Sequence, residues 1–474
     1  MFKITAITSI IFIFFSCCSK DNDSWNDKVI EGKIINGITK LPVPDVQVTL
    51  LEQGPAKTTG TNGVFYFSKG EAVSKQSVHE SALNAMNENL AVSVTCSGYL
   101  PEESNVVYNG NVIIEIIPDT SEIYFYNKPV QLDDGLTTGT LLTENMDTSY
   151  IQKLMNKIAS GKYKEIHSLL IFRNGKLILE EYYSGNNDTI QFENNIYRDR
   201  TPASIQWARN QKHYIASVNK SLTSTIVGIA LDKYGKSVND KVSSYLPEYA
   251  SYFTDTNKDN VNIENCLTMT LGFKWDEWGS NDLSLLWKSD DFAGFLLSRD
   301  NMGPGSEWRY NSASPNLLIR CLNEIVGGSI RDWADDNFYG KLGITDYKWG
   351  TQPGGLPEGA ARMFMRPRDL LKIGVTYLNK GIWNGEQVIP EGWVDECLEV
   401  KQSTSSGNYS YFFWLRQLNG IDYLSADGDG GNYINIIPSL NMVIVITQGN
   451  YLEYPLYVNQ ADDMMKNYIF NAAQ

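Results

Sequence analysis

The hydrophobic pattern of the chain changes its period near residue 120. Before that point apolar side chains alternate with polar ones, as at Val46, Val48 and Leu50, which is typical of strands with one buried face. Beyond it, helical and strand periods are mixed, which indicates a second core with a different architecture. The predicted units are residues 28–119, a linker at 120–126, and residues 127–474.

The first residues carry the features of an export signal. Residues 1–16 contain one lysine and the apolar run IIFIFF, which is too short to span a bilayer but fits the core of a signal peptide. The letters FSC that end at Cys17 resemble a bacterial lipobox, in which the cysteine is lipidated after cleavage. The polar residues 17–27 are predicted to be an unfolded tether. We expect an exported protein, lipid-anchored to the bacterial cell envelope at the outer membrane, its periplasmic face or the cell surface. A plain signal peptide is the alternative.

Charge and composition exclude several classes of partner and site. The 474 residues carry a formal net charge of -15, and the pI is near 4.8, whereas binding to nucleic acid or to an anionic membrane surface needs a positive field. The three histidines form no metal-binding motif, and the cysteines beyond residue 18 are too scattered for a zinc site or a disulfide-dense scaffold. We therefore expect no metal and no cofactor. The oligomeric state stays open.

The first unit resembles a known β-sandwich family. The stretches GKIINGITKLPVPDVQVTL, TTGTNGVFYF and SGYL are similar to carboxypeptidase-regulatory-like, or transthyretin-like, domains. The Asn62-Gly63 turn followed by alternating aromatic residues is the most specific part of this likeness. The resemblance implies an all-β sandwich that acts as a spacer or an adhesion unit and contributes no catalytic residues.

Local patterns in the second unit predict strands at both of its ends and helices between them. SLLIFRNGKLILEEYY indicates a hairpin around Asn174-Gly175, and NYINIIPSLNMVIVITQGN indicates two further strands. Helices are predicted at 149–158, at 217–234 with Gly235 as its stop, and at 455–469. This order is typical of an α+β fold in which helices flank an antiparallel sheet.

Ser217 and Lys220 stand three residues apart where the helix at 217–234 begins. That spacing places a hydroxyl and an amine on the same side of the first turn. A serine needs a neighbouring base to become a nucleophile, and a lysine serves as that base only where burial or another cation lowers its pKa from about 10.4. The alternative is a serine that caps the helix beside an exposed lysine.

The wider sequence resembles the β-lactamase-related serine hydrolases. The segments HYIASVNKSLTSTIVGIALDKYGK, IENCLTMTLGFKWDE, PGSEWRYNSASPNLLI and RPRDLLKIGVTYLNKGIWNGEQVIPEGWV occur in the order typical of that family. Its members include class C β-lactamases, penicillin-binding peptidases, esterases and aminohexanoate-dimer hydrolases. The resemblance implies a β-lactamase/transpeptidase-like fold from about residue 127 to the C-terminus.

The resemblance also assigns roles to residues of this chain. It implies that Ser217 is the acylated nucleophile, Lys220 its base, and Tyr310 of YNS the relay of a proton to the leaving group. Ser312 falls where many relatives have asparagine and is a candidate for binding substrate. Trp308 is a candidate lining residue, although core packing is the alternative for it and for its fellow candidates Trp275, Trp278 and Trp287. His213 lies near Ser217, but no G-x-S-x-G elbow surrounds the serine, so a structural histidine is favoured.

The third motif of the family, Lys or His followed by any residue and Gly, corresponds here to Ala426-Asp427-Gly428. Ala426 and Gly428 are candidates for contact with substrate, and the N–H of Asp429 is expected to form the oxyanion hole with that of Ser217. Alanine cannot hold a substrate carboxylate, and the nearby Asp427 and Asp429 would repel one, so β-lactams and D-Ala-D-Ala peptides are disfavoured. The glycine-rich form resembles the esterase and aminohexanoate-dimer hydrolase branch.

These observations predict an exported, lipid-anchored serine hydrolase that forms an acyl-enzyme and cleaves an ester or small amide. The alternative is a binding protein with the same fold that has lost turnover and recognises cell-wall or glycan fragments. Retention of Ser217, Lys220 and Tyr310 favours catalysis, whereas Ala426 and Ser312 favour the binding protein.

Overall fold

The computed structural model describes residues 28–37, 40–50, 55–68, 71, 89–99, 101–107, 110–116, 126–189 and 199–474. The predicted signal peptide, the tether with Cys17 and most of the predicted linker lie outside the described residues. The chain divides into two compact units, and the division falls between Asp119 and Thr120. In the described part of the chain, no helix combines the length and the apolar character needed to cross a membrane.

The described part of the first unit consists of strands in two sheets. The strands are β1 (Lys28–Asn36), β2 (Gln47–Leu50), β3 (Ala56–Thr58), β4 (Val64–Ser68), β5 (Asn89–Thr95), β6 (Glu102–Val107) and β7 (Gly110–Ile116). One sheet has the order β4-β1-β7 and the other β3-β2-β5-β6. Only the β1–β7 pair is parallel among the pairs described in this unit.

The two sheets of the first unit share one apolar core. Ile34 of β1 and Val92 of β5 are both fully buried in it. In β4, Phe65 and Phe67 are buried while Tyr66 between them is 40% exposed, as the alternating pattern predicts. The period-two strands are therefore confirmed, and the likeness to a transthyretin-like sandwich stays a prediction.

The second unit is organised around one antiparallel sheet of eight strands, in the order β17-β18-β19-β20-β21-β22-β8-β9. The strands of this unit are β8 (Ile166–Arg173), β9 (Lys176–Tyr182), β10 (Ser184–Thr189), β11 (Asp199–Gln206), β12 (His213–Tyr214), β13 (Lys348–Trp349), β14 (Met363–Met365), β15 (Ile382–Trp383), β16 (Glu386–Gln387), β17 (Gln402–Thr404), β18 (Gly407–Tyr409), β19 (Trp414–Leu418), β20 (Ile421–Gly428), β21 (Asn432–Ile437) and β22 (Met442–Gln448). The strands outside the large sheet form short pairs and one three-stranded sheet, β12-β14-β13.

Helices cover both faces of the eight-stranded sheet. The α-helices are α1 (Thr148–Ala159), α2 (Val218–Tyr234), α3 (Thr256–Asp259), α4 (Ile263–Leu267), α5 (Asp282–Lys288), α6 (Phe292–Leu297), α7 (Ala313–Val326), α8 (Ile330–Ala334), α9 (Pro367–Leu378), α10 (Glu391–Leu398), α11 (Leu456–Met464) and α12 (Phe470–Ala472). Helices α2 and α9 pack on one face, while α1, α11 and α12 share a separate apolar core on the other. The predicted antiparallel sheet flanked by helices is confirmed.

Two local predictions hold because glycine supplies the required backbone conformation. The hairpin between β8 and β9 turns at Asn174 and Gly175, which have φ values of 49° and 84° and so form the type of two-residue turn that matches strand twist. Helix α2 ends at Gly235 with φ 60°. The predicted helix at 455–469 is present as α11 and a π-helical segment that continues it, Met465–Ile469.

Helix α2 differs from its prediction in the extent of its burial. The apolar positions of its sequence predict one buried face, yet every residue from Val218 to Leu231 is buried. The helix lies between α7 and the sheet strand β20, so its polar residues are enclosed as well. Lys220 and Ser221 are each 1% exposed. The first turn of α2 therefore holds its side chains in a dry interior.

Candidate active site

Ser217 lies where the chain leaves the short strand β12 and enters α2. Ala216, just before it, has a φ of 47°, a left-handed conformation that costs energy for an alanine and redirects the chain sharply. The Ser217 side chain makes no capping hydrogen bond with the helix. The capping alternative is therefore wrong, and the hydroxyl is left for another partner.

That partner is the amine of Lys220. Its Nζ donates to Ser217 Oγ at 2.9 Å and to the backbone carbonyl of Ala360 at 3.3 Å. The Lys220 side chain is enclosed, with 1% of the residue exposed. The sequence spacing thus produces a direct contact between amine and hydroxyl away from bulk water, which is the setting that nucleophile activation needs.

Tyr310 completes the cluster. Lys220 Nζ lies 4.9 Å from the centroid of its ring, over the aromatic face. Other aromatic side chains surround this ring. The distance between ring centroids is 6.4 Å to Trp308. The rings of Trp278 and Trp414 are nearly parallel to that of Tyr310, with centroid distances of 6.2 and 6.5 Å. The structure therefore brings the three predicted catalytic residues together and places Trp308 beside them. Trp308 is half-buried, and its role in binding substrate stays a prediction.

Ser312 occupies the predicted place before helix α7, but its hydroxyl is engaged inside the protein. Its Oγ donates to Glu277 Oε1, and its backbone N–H donates to Glu277 Oε2 at 3.0 Å. The residue is 3% exposed. In this arrangement the hydroxyl proton of Ser312 is not directed at a substrate, so its predicted role stays a prediction.

Glu277 is the residue of this region that sequence reasoning missed. It is 6% exposed, and besides the two donors of Ser312 it accepts a hydrogen bond from Trp275 Nε1 at 2.8 Å. Burial raises the pKa of its carboxyl, while the nearby charge of Lys220 and the three donors act in the opposite direction. A glutamate between two tryptophans, in the letters WDEWG, was the available signal.

The end of strand β20 lies close to the residues on either side of Ser217. A side chain at Gly428 would place its Cβ 2.2 Å from the carbonyl oxygen of Ile215, so only glycine fits there. Asp429 follows in the turn to β21, and its carboxylate accepts from the N–H of Leu452 at 3.2 Å. Ala426 is 1% exposed and belongs to the apolar core beneath the strand. The roles of Asp429 in the oxyanion hole and of Ala426 and Gly428 in substrate contact stay predictions.

The prediction for the charge of Asp427 is wrong. Asp427 was expected to repel a carboxylate, but Arg416 on the neighbouring strand β19 forms an ion pair with it, and the Arg416 Nε to Asp427 Oδ2 distance is 3.1 Å. This pairing spans eleven positions in sequence and depends on the strand register. Asp427 therefore does not present an uncompensated negative charge.

His213 serves a structural purpose. Its Nε2 lies 2.7 Å from His167 Nδ1, and its Nδ1 lies 3.0 Å from the carbonyl oxygen of Tyr214. Burial lowers the pKa of His213, and the adjacent His167 lowers it further, so the ring is neutral. The bonds of His213 stabilise the strand before Ser217.

Comparisons with known proteins agree with this geometry. The Beta-lactamase family model matches residues 164–461. The 6-aminohexanoate-dimer hydrolase of Paenarthrobacter ureafaciens is 24% identical over 265 residues, which cover 50% of this chain and 66%, just under two thirds, of that protein.

Solved structures show the same fold. A Bacillus anthracis protein assigned as a 6-aminohexanoate-dimer hydrolase has a TM-score of 0.54 at 17% identity, covering 74% of this chain and 87% of that one. A family VIII carboxylesterase has a TM-score of 0.53 at 16% identity, covering 69% and 98%. At such identities the likeness concerns the fold alone. The family match spans more than half of the chain, and the chain therefore belongs to the Beta-lactamase family of serine hydrolases.

Proposed function

We propose that this protein is an exported, lipid-anchored serine hydrolase that forms an acyl-enzyme on Ser217 and cleaves an ester or a small amide. The main support for the catalytic part of this proposal is the 2.9 Å contact between the buried Lys220 Nζ and Ser217 Oγ. The centroid of the Tyr310 ring lies 4.9 Å from the same amine. A neighbouring base at hydrogen-bond distance and the exclusion of bulk water both favour activation of a serine hydroxyl.

The chemistry follows from these contacts. The Lys220–Tyr310 pair removes the proton of Ser217, and Oγ bonds to the carbonyl carbon of the substrate. The resulting oxyanion is held by the backbone N–H groups of Ser217 and Asp429. The pair then gives the proton to the leaving alcohol or amine as its bond to carbon breaks. A water molecule, deprotonated by the same pair, then attacks the carbonyl carbon of the ester on Ser217. The bond from that carbon to Oγ breaks, the pair returns the proton to Oγ, and the acid is released.

The residues at the third motif favour esters and small amides as substrates over substrates with a carboxylate. The position of the family's cationic third motif is Ala426, which is buried in the core, and the nearby Arg416 is paired with Asp427. A substrate carboxylate thus has no unpaired cation at this strand among the described residues. The relatives named as a carboxylesterase and as dimer hydrolases also support this substrate class.

Covalent labelling tests the acyl-enzyme directly. A fluorophosphonate probe is expected to label the purified protein, and Ser217→Ala should abolish the label. Ser298→Ala, which changes an exposed serine of the same unit, is the matched control and should label like the parent. Equal labelling of Ser217→Ala and the parent would refute the proposal. A panel of short-chain nitrophenyl esters, D-amino-acid peptides and a chromogenic cephalosporin would then rank substrate classes.

A binding protein without turnover is the second candidate, because the hydroxyl of Ser312 is bonded to Glu277 and Ala426 supplies no polar group. It predicts no turnover on any member of the panel and tight binding of cell-wall or glycan fragments. Measured turnover that depends on Ser217 would exclude it.

Export and anchoring are supported by the sequence of residues 1–27, in which Cys17 follows an apolar run. Expression in a bacterium with labelled palmitate tests this part. The label is expected on the parent and absent from Cys17→Ala, while Cys18→Ala should keep it. Label on Cys17→Ala but not on Cys18→Ala would show that Cys18, not Cys17, carries the lipid.

A further inference from the structure

A cavity in the second unit has a wall rich in cations. Its volume is about 630 Å³, which lies within the range of about 300–1,000 Å³ that is typical of small-molecule sites. Four cationic residues line it, although the whole chain carries a formal net charge of -15: Arg209, Arg366, Arg368 and Lys372. None of the described residues that line this cavity belongs to the candidate active site.

Two of the four cations have carboxylate partners of their own. Arg209 Nε donates to Glu180 Oε1 at 2.7 Å. Arg368 Nε lies 3.4 Å from Asp134 Oδ2 and 3.7 Å from Glu180 Oε1. Because a paired carboxylate offsets the charge of its cation, Arg209 and Arg368 add no net charge to the cavity.

The other two cations share one carboxylate. Arg366 Nε donates to Asp369 Oδ2 at 2.6 Å, and Lys372 Nζ lies 3.5 Å from Asp369 Oδ1. A further carboxylate whose charge acts on Arg366, Asp346, forms its own ion pair with Lys212. Three carboxylates therefore face four cations at this cavity, which leaves one formal positive charge in excess.

The two cations that share Asp369 also have donors to spare. Lys372 is 3% exposed, and its Nζ makes no hydrogen bond with any described residue. Arg366 bonds to Asp369 through Nε, and its two terminal nitrogens make no hydrogen bond within the described part of the chain. An enclosed cation without hydrogen-bond acceptors is costly, so an anion that accepts from these donors would be stabilised there.

The remainder of the wall is less polar. Leu132, Trp207 and Tyr182 line it, and the hydroxyl of Tyr182 already donates to Glu180 Oε1 at 2.9 Å. The volume exceeds what a small inorganic ion fills. Apolar surface on one part of the wall and charged donors on another fit a molecule that has an apolar body and one anionic group.

We propose that this cavity is a binding site for a small organic monoanion, a carboxylate on an aromatic or aliphatic body, held by Lys372 and Arg366. Both cations contact the same carboxylate of Asp369, so they lie near enough to each other to share a second one. One excess positive charge matches one carboxylate, whereas a phosphate dianion would exceed it. Binding at this site does not depend on the proposed hydrolase activity.

A ligand in the cavity would contact two segments that flank one pair of strands. Trp207 and Arg209 precede β12, and Arg366 directly follows β14, which pairs with β12 through His213 and Met365. A molecule that binds the folded chain and bridges these segments raises its stability against unfolding. Thermal unfolding is therefore a second measure of binding, beside calorimetry.

Titration calorimetry of the full chain with benzoate, 4-phenylbutyrate and octanoate, in buffer without chloride, tests the site. At least one of these carboxylates is expected to bind, and the matching neutral alcohol should bind about 10-fold more weakly or worse. Phenyl phosphate should bind more weakly than benzoate. Absence of binding by all three carboxylates, equal binding of acid and alcohol, or tighter binding of phenyl phosphate would each overturn the proposal.

Lys372→Met assigns the binding to this cavity, because it removes the charge and keeps the length of the side chain. Carboxylate binding should weaken by about 10- to 100-fold. Lys288→Met, at an exposed lysine of the same unit, is the matched control and should bind like the parent. Parent-like binding by Lys372→Met would show that the carboxylate occupies another place and would reject the site.

A second variant keeps the proposal testable if Lys372→Met does not fold. The side chain of Arg366 is 26% exposed, and Arg366→Gln leaves Asp369 paired with Lys372, so the excess charge disappears while a partner remains. The bound carboxylate is expected to raise the Tm of the parent and of Lys288→Met but not that of Arg366→Gln. An equal rise in all three would contradict the proposal.

Discussion

The two units of this chain treat buried polar groups differently. Among the described residues of the first unit, Thr59 is the one buried polar side chain, and it bonds to the backbone of Val46 and Val43. The second unit buries many, including Lys220, Glu277 and Ser312. Burying a polar group costs free energy, and packing strands into a sandwich does not require such burial. Part of this cost is carried by Lys220, which contacts Ser217.

The largest effect is expected from Tyr310→Phe. The phenyl ring keeps the contacts with Trp308 and with Lys220 Nζ but loses the hydroxyl that we propose transfers the proton. Turnover should fall by about 10²- to 10⁴-fold with little change in thermal stability. Tyr454→Phe, at an exposed tyrosine, is the control for ester hydrolysis assays. Parent-like turnover of Tyr310→Phe would remove the tyrosine from the mechanism.

A change at Gly428 tests whether the position of the end of β20 beside the Ser217 segment matters for labelling. In Gly428→Ala the new Cβ would stand 2.2 Å from the carbonyl oxygen of Ile215, so the strand end must move away from Ser217. A displacement of this size is expected to lower the labelling rate by about 100-fold. Gly392→Ala meets nothing within 4 Å and should label like the parent. Equal rates for both variants would contradict a role for the strand end.

Trp278 tests whether the aromatic walls of the site contact substrate. It is 73% exposed and lies 6.2 Å from Tyr310, so its removal costs the fold little. Trp278→Ala is expected to raise KM for aryl esters, by the equivalent of about 0.5–1.5 kcal/mol, more than for alkyl esters. Trp278→Phe should restore part of the difference. An equal change in KM for both ester classes would indicate a general disturbance instead.

The smallest effect on activity is expected in the first unit. Thr59→Val removes the hydroxyl that bonds Val46 N and Val43 O at 3.0 and 2.9 Å. The loss should destabilise that unit by about 1–3 kcal/mol, measured by chemical denaturation, because a buried N–H is left unsatisfied. Ester hydrolysis should be unchanged. A parallel loss of activity would show that the contrast between the units is incomplete.

Local patterns predicted much of the fold and the centre of the site. The Asn174-Gly175 turn, the stop at Gly235 and the Ser217–Lys220 spacing depend on neighbours within a few residues, and each appears in the structure as expected. The contact of Lys220 with Tyr310, ninety positions further along the chain, could be expected only through the family resemblance.

Other features depend on partners that no local pattern contains. The bonds of Ser312 to Glu277 join residues 35 positions apart, and the pairing of Asp427 with Arg416 depends on strand register. The enclosure of every side of α2 depends on what packs around the helix, and its sequence alone predicts one buried face. The predictions for Ser312 and Asp427 came from their positions in the chain. They therefore did not include the side chains that bond to them, Glu277 and Arg416.

By itself, the order of residues determined the strand-rich first unit, the helix that begins after Ser217 and the amine placed one turn from the hydroxyl, because backbone geometry converts short spacings directly into proximity. Only the tertiary structure decided that this amine is dry, that Glu277 accepts hydrogen bonds from Ser312, and that Arg416 is paired with Asp427. Burial and charge balance are properties of the whole packed interior, so they are set when distant segments meet.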